Sequence, residues 1–404
     1  MLMKFNKPGQ LVLAAAASLA VAGLLSACEQ INGTLTADFV YVSTAKAAGP
    51  DNYGEIDVFE VNSQSGRMRQ IPASPFPSGG RNPVAEAAAP DQLNLYVANH
   101  DDNTIVQFAI GIDGKLYPQV TTNTPGIFPL ALGIAGPNLI VADTYQPLPS
   151  CSPASPCSGS IAMYPIGAKD VLGAPAENTT LGTNYWPLIV PANPQDVIVP
   201  TAVAGDPTGA NVYVAAYDIT ANTGYIFGFA IANGTLAPLN GGTPIAAGIH
   251  PSSIASDAHG GYLYVTDSAS GNVLAYSAGA GGLTTVNGSP FSTGGNPTSI
   301  VVDQTGKFAY VANGQDSTVT AYTVTNGALT RFGTYATDTQ PVAIGIDPAL
   351  NQYLYTANFL GNTVTGFQMN ATDGTLLNSQ FSPFRANINP TAVAAVSHAV
   401  VSKQ

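Results

Sequence analysis

Basic residues are scarce in this chain. Lys and Arg together number 12 of 404 residues against 24 Asp and Glu, and charged residues make up 9%, far below the roughly 25% typical of soluble domains. Nucleic acid and anionic lipid both demand a basic face, so neither is expected as a partner. Tryptophan occurs once, histidine four times and cysteine three times. There is no phosphate-cradling glycine loop, no pair of histidines at metal-ligand spacing and no GxSxG elbow, so the sequence implies no cofactor and no metal. Asp143 or Asp267 could contribute to a calcium site, but no compact acidic loop marks one. After the first 28 residues no apolar run reaches the ~18 residues that span a bilayer.

The N-terminal stretch is the exception. "MLMKFNKPGQ" carries Lys4 and Lys7, a 17-residue apolar run follows, and the run stops at "LLSAC". This is the order of a secretory signal, and its ending resembles a bacterial lipobox, which implies a signal peptide over residues 1–27 and lipidation at Cys28. Residues 28–36 then form a tether to an envelope membrane, and Glu29 after the cysteine favours the outer one. The chain that remains has 10 basic and 24 acidic residues, a net of −14, and touches membrane through the lipid alone. In an exported chain, Cys151 and Cys157 of "CSPASPC" are expected to form a disulfide that stiffens their loop.

What the chain has in abundance is turns and short strands. Gly (42) and Pro (31) are frequent, and Tyr outnumbers Lys and Arg combined, 18 to 12. A Pro-led strand recurs at Pro83, Pro129, Pro200, Pro251, Pro297, Pro341 and Pro390. A second strand follows most of them, as in "LYVAN" (95–99), "LYVTD" (263–267) and "AYVAN" (309–313). A polar loop and a third alternating strand come next, then Asp-Gly or Asn-Gly at 113–114, 233–234, 326–327 and 373–374, dipeptides suited to tight hairpins. Seven four-stranded units of ~45–50 residues predict an all-β, seven-bladed propeller. The first blade starts at its second strand, "DFVYVST", and residues 390–397 are left over to supply the missing innermost one. The propeller is expected over residues 37–398, with a tail at 399–404 and insertions in blade three at about 144–196, where the Pro129–Pro200 interval is 71 residues against 44–51 elsewhere.

"YVAN", "YVTD" and "YTAN", followed by "NTV" or "STV" and then a Gly-x-Leu turn, resemble the YVTN repeat and the wider lactonase-like seven-bladed propeller family. The resemblance covers the whole of residues 37–398. It implies either an enzyme of 6-phosphogluconolactonase or cycloisomerase type or an exported repeat protein without established activity.

In such a ring the strand-connecting loops of one face gather at a mouth where ligands bind. The Asn or Asp that closes each second strand (Asn99, Asp143, Asp267, Asn313, Asn358) could contact a ligand there. Recurrence in five blades speaks instead for capping of the loops, and recurrent tyrosines such as Tyr96 and Tyr310 read as packing between blades. Glu86 departs from the repeat, standing where the other innermost strands carry Leu132, Val203, Ile254, Ile300, Ile344 and Val393. With His100 and Arg81 it forms a candidate catalytic set of a base, a second base or acid, and a cationic clamp; His250 would add a donor. The competing reading is an Arg81–Glu86 pair that only neutralises a buried charge. Arg385 is expected in a loop at the mouth, and Trp186 beside Tyr185 in the blade-three insertion as an exposed contact pair. With so few basic groups there, a phosphorylated sugar is poorly provided for. The sequence alone puts first a monomeric binding or scaffolding module that takes a small molecule or a protein at its top face. The alternative is a metal-independent lactonase or lactonising enzyme acting in the central pocket.

Overall fold

The computed structural model describes residues 36–45, 52–279, 282–348 and 351–398. The expected signal peptide, Cys28, nearly all of the expected tether and the expected tail lie outside the described residues. The rest is a ring of seven antiparallel sheets. Each blade runs outward from an innermost strand a, such as Pro83–Ala88 in blade two or Pro297–Val302 in blade six, through strands b and c to an outer strand d. Blade one takes its a strand from the C-terminus: Pro390–Ser397 pairs antiparallel with Thr36–Thr44, with Val393 opposite Val42. That pairing closes the ring and covers the edges a linear array would expose.

Burial follows position in the ring. The b strands Asn94–Asn99, Phe308–Asn313 and Tyr353–Asn358 are buried at every residue, because neighbouring blades cover both of their faces. An outer strand such as Leu116–Asn123 is exposed at six of its eight residues. Tyrosines of the b strands lock the seams between blades. Tyr41, Tyr96 and Tyr310 donate to the carbonyls of Gly114, Asp170 and Gly374 in the next blade's hairpin, at 3.1, 2.6 and 2.8 Å. Tyr355 donates to Asp38 Oδ2 at 2.8 Å.

Blade three absorbs its extra length in two ways. Cys151 and Cys157 are joined by a disulfide, with Cα atoms 5.4 Å apart, in the loop between strands b and c. The second insertion supplies the outer strand itself, Trp186–Pro187, which pairs with Ile161 and Ser160. Trp186 is therefore not an exposed contact. It is 4% exposed and packs with Ile161, Leu188 and Phe229 in the core between blades three and four. The sequence pattern misled because the insertion hides an outer strand of two residues.

Among the described residues no helix is long and apolar enough to cross a membrane.

Candidate functional site

The mouth is built from two positions per blade: the residue before the a-strand proline and the first residue after strand b. The pre-proline series reads Asn82, Phe128, Val199, His250, Asn296, Gln340 and Asn389. Five of these, including Phe128 at φ +61°, adopt left-handed backbone, which a bulky residue accepts only when its surroundings hold it there. Here they do. The Phe128 amide donates to Asn103 Oδ1 at 2.7 Å and its carbonyl accepts from Thr144 Oγ1 at 2.8 Å.

The pre-proline amides thus occupy blades six, seven, one and two, while Phe128, Val199 and His250 occupy blades three to five. Two aromatic pairs mark that second half. His100 stacks on Phe128 with centroids 4.6 Å apart and planes 6° from parallel, and Tyr145 meets Phe128 edge-on at 6.1 Å. Tyr217 packs on His250 at 4.5 Å. The two pairs are equivalent in sequence position: His100 and Tyr217 each stand five residues after the first residue of the aligned second-strand motif (Leu95, Val212). Each meets the pre-proline residue of the next blade, although Tyr217 still belongs to the strand Asn211–Asp218.

Both imidazoles have a fixed tautomer. His100 Nδ1 lies 2.6 Å from Asp101 Oδ1, a carboxylate that only accepts, so Nδ1 carries the proton. His250 Nδ1 lies 3.0 Å from Ser268 Oγ, whose single proton goes to the His250 carbonyl, so again Nδ1 donates. Each ring is left with Nε2 as an acceptor, the arrangement a general base needs.

Arg81 reaches the same turn. Its Nε and Nη2 bind Asp102 Oδ1 at 2.7 and 2.5 Å, and Nη2 also meets the Asp101 carbonyl at 3.2 Å. This leaves the Nη1 hydrogens uncommitted. Against the pull of burial, the guanidinium holds the Asp102 carboxyl below its ordinary range. Arg81 and His100 are therefore tied to adjacent carboxylates of one short turn, His100–Asp102.

Glu86 is not brought to them. It sits three residues down its strand from Pro83, about 10 Å deeper, in the seam between blades one and two. Its Oε2 accepts from Ser43 Oγ at 2.8 Å, and its buried Oε1 has no partner. Burial pushes its carboxyl up to about 7, with the Ser43 hydroxyl and the Ala394 amide pulling the other way. The expected Arg81–Glu86 pair does not form, because Asp102 takes the guanidinium. Ser43 is itself a departure: in register it matches Ala98, Ala142, Ala215, Ala312 and Ala357 of other b strands.

The strand-closing residues clasp the loops. Asn99, Asp143 and Asp267 are at most 1% exposed. Asn99 exchanges bonds with Ser78, Asp143 accepts from the Gly126 amide, and Asp267 accepts from the amides of Ile249, His250 and Ala269. A Cβ on Gly126 would fall 2.3 Å from that of Asp143, so the clasp depends on a bare backbone at this close approach. Asp143 is pushed up to about 7 by burial and keeps one oxygen without a partner. Arg385 lies not in a mouth loop but on the outermost strand of blade seven, Phe384–Arg385, opposite Thr363.

Against the glycine- and alanine-rich repeat Glu86 stands out by its charge, whereas Phe128, Tyr217 and Asp101 do not. The pre-proline column carried the missing signal, since aromatic residues there interrupt a run of amides. Among the described residues no group of three His, Cys, Asp or Glu side chains is arranged to hold a metal ion.

The family described as lactonase, 7-bladed beta-propeller, matches residues 189–394. No curated protein matches the chain. Among solved structures, a candidate 6-phosphogluconolactonase from Bacteroides uniformis is 18% identical over 89% of this chain and 100% of its own, with a TM-score of 0.68. A periplasmic gluconolactonase from Pseudomonas aeruginosa is 19% identical over 89% and 99%, with a TM-score of 0.66. At such identities the likeness speaks for the fold alone.

Proposed function

Since the chain belongs to the lactonase family of seven-bladed β-propellers, we propose that it is a lactone-directed enzyme working at the mouth between blades two and three, with His100 as its base. The observation that carries this reading is the Asp101–His100 pair, 2.6 Å apart and stacked on Phe128. Family membership supports it over the binding or scaffolding role that the sequence alone put first.

In hydrolysis, the Nε2 lone pair of His100 takes a proton from water as the water oxygen attacks the lactone carbonyl carbon. The ring C–O bond then breaks, and the departing oxygen takes that proton back to give a hydroxy acid. The Nη1 hydrogens of Arg81 are the donors nearest in sequence and bonding to this base, and they suit the developing oxyanion or a substrate carboxylate. Asp101 fixes the tautomer and stabilises the imidazolium. Glu86, held in a seam with Oε2 on Ser43 and Oε1 buried, takes no part in proton transfer on this reading.

The test is a lactone panel assayed with the purified protein and its His100→Ala and Glu86→Gln variants. His100→Ala should lower kcat/KM by about 100-fold or more with unchanged melting, and Glu86→Gln should keep activity. Full activity in His100→Ala would refute the assignment, and no turnover of any lactone would restore the binding reading. The envelope location rests on "LLSAC": Cys28→Ala should move the protein out of the membrane fraction, and retention there would refute lipid anchoring.

A further inference from the structure

The repeat is also broken at the ring face opposite the mouth, independently of the reading above. In five blades the hairpin between strands c and d places glycine two residues before an apolar anchor: Gly66, Gly114, Gly234, Gly327 and Gly374. Blade three writes Asp170 there, ahead of Leu172, and keeps it left-handed at φ +56°. Where the preceding blade sets an aromatic ring against the hairpin, a side chain at the glycine has no room, whereas Gly234, which faces no such ring, is open. A Cβ on Gly114, Gly327 or Gly374 would lie 2.4, 2.3 or 2.4 Å from the ring of Phe39, Tyr262 or Phe308 in the preceding blade.

Blade two makes that room. Where blades one, five, six and seven carry an aromatic ring two residues before the seam tyrosine (Phe39, Tyr262, Phe308, Tyr353), blade two carries the smaller Asn94, as blades three and four carry Asn138 and Asn211, and its Nδ2 donates to Asp170 Oδ2 at 2.8 Å. Behind Asn94 stands a second departure. Gln107 lies opposite Tyr96 in register, where other blades place Val58, Ala275, Ala321 and Gly366. Its Nε2 donates to Asn94 Oδ1 at 3.0 Å.

The relay fixes the amide orientations. Asp170 only accepts, so Asn94 gives it the amide nitrogen and receives that of Gln107. Gln107 Oε1 is left without a donor, although the residue is only 2% exposed. Asp91, on the a–b turn of blade two, comes within hydrogen-bond reach of Asp170, and its Oδ1 accepts from the Leu93 amide at 2.9 Å. Asp91, Asn94, Gln107 and Asp170 line one cleft of about 340 Å³, with Lys169 and Gln119 among the other residues around it. Two departures peculiar to this seam, Asp170 for glycine and Gln107 for a small side chain, thus add a carboxylate and an unpartnered amide oxygen to residues lining one cleft, with Asn94 linking them. Burial and the neighbouring Asp91 push the Asp170 carboxyl up to about 6, as expected of acids placed together without a counterion.

We propose that this cleft binds calcium, with Asp91, Asp170 and Gln107 Oε1 as ligands and water completing the shell, so that the ion ties blade two to blade three. Two carboxylates and an amide oxygen are hard donors suited to calcium at modest affinity. The Lys169 ammonium forms no ion pair with either carboxylate and raises the local potential against the ion.

The experiment adds calcium chloride alone, at millimolar concentration, to EDTA-treated protein and follows the melting temperature, with terbium luminescence sensitised by Tyr96 and Tyr117 as a second readout. Calcium should raise the wild-type melting temperature by on the order of 3 °C. Asp91→Asn and Asp170→Asn should abolish both signals while melting near the wild type in EDTA, and Lys169→Ala should tighten binding several-fold. No shift in the wild type, or an equal shift in both Asn variants, would overturn the proposal. Terbium luminescence retained in the Asn variants would do the same.

Discussion

The seam between blades six and seven and the seam between blades two and three are built on one plan and finished in opposite ways. Both use a buried tyrosine donating to the hairpin carbonyl of the next blade, Tyr310 to Gly374 and Tyr96 to Asp170. The first then fills with Phe308, Ala321 and Ile344, while the second holds Asn94, Gln107 and a carboxylate. The contrast extends around the ring. Ile254, Ile300 and Ile344 make their seams apolar, whereas Asp38 with Tyr355, Glu86 with Ser43 and Asp170 with Asn94 bury acids at three successive seams. In a repeat fold a departure survives when its neighbour departs with it. Glu86 without Ser43, or Asp170 without Asn94, would be an unpaired buried group at a cost of several kcal/mol.

The sharpest way to break the comparison is to put the polar residue alone into the apolar seam. Gly374→Asp forces a Cβ to within 2.4 Å of Phe308 at φ +74°, adding overpacking and left-handed strain of roughly 3 kcal/mol together. Urea midpoints should report that loss, and a change below about 1 kcal/mol would mean that the seam yields where the packing says it does not.

The next effect is electrostatic. A buried acid whose folded-state pKa lies above its unfolded value binds protons more tightly when folded, so its contribution to stability falls as pH rises from the unfolded pKa to the folded one. For Glu86, raised from 4.5 to about 7, the window runs from about 4.5 to about 7, and the full cost of ionisation is about 3 kcal/mol. Glu86→Gln should therefore gain about 2 kcal/mol more over the wild type at pH 8 than at pH 5. Asp143 and Asp57, pushed up to about 7 and about 6 mainly by burial, keep a residual slope in the variant. Equal gains at both pH values would show that Glu86 does not ionise in its seam.

A smaller effect tests compensation itself. Adding Phe308→Asn to Gly374→Asp transplants the polar pair, and the double variant should recover about 1 kcal/mol relative to the sum of the single losses, a coupling typical of side chains in contact. Strict additivity in paired urea titrations would argue that Asn94 does not accommodate Asp170 in the native seam.

The fold was legible in the sequence because each blade repeats the same physical problem. A proline opens the strand, a tyrosine locks the seam, and Asn-Gly or Asp-Gly turns the hairpin. Glu86 was legible as an exception, since one charge among six apolar residues is conspicuous. Its partner was not. Arg81 is near in sequence, but Ser43 faces Glu86 only once the ring closes through residues 390–397. Trp186 looked like a loop residue because a two-residue outer strand leaves no alternation to read. The stacking of His100 on Phe128 and of Tyr217 on His250 needed the ring geometry that sets one blade's loop beside the next blade's proline. Asp170 is not legible as an exception because aspartate, like glycine, is at home in a left-handed turn, so its presence there breaks no local rule.

The smallest effect is expected at Asp170 itself. Asp170→Gly returns blade three to the repeat and relieves left-handed strain of about 1 kcal/mol. Glycine also loosens the unfolded chain at a cost of about 0.5 kcal/mol, and the Asn94 amide, lining a cleft open to water, loses its acceptor at about 1 kcal/mol, the low end for a buried group. These terms nearly cancel, so in EDTA the variant should unfold within about 1 kcal/mol of the wild type, while Gly374→Asp at the matching position loses several times that. A large loss in Asp170→Gly without calcium would make the carboxylate a structural member of the seam in its own right. A small one leaves the strained aspartate unexplained by stability, and places its reason in what the cleft holds.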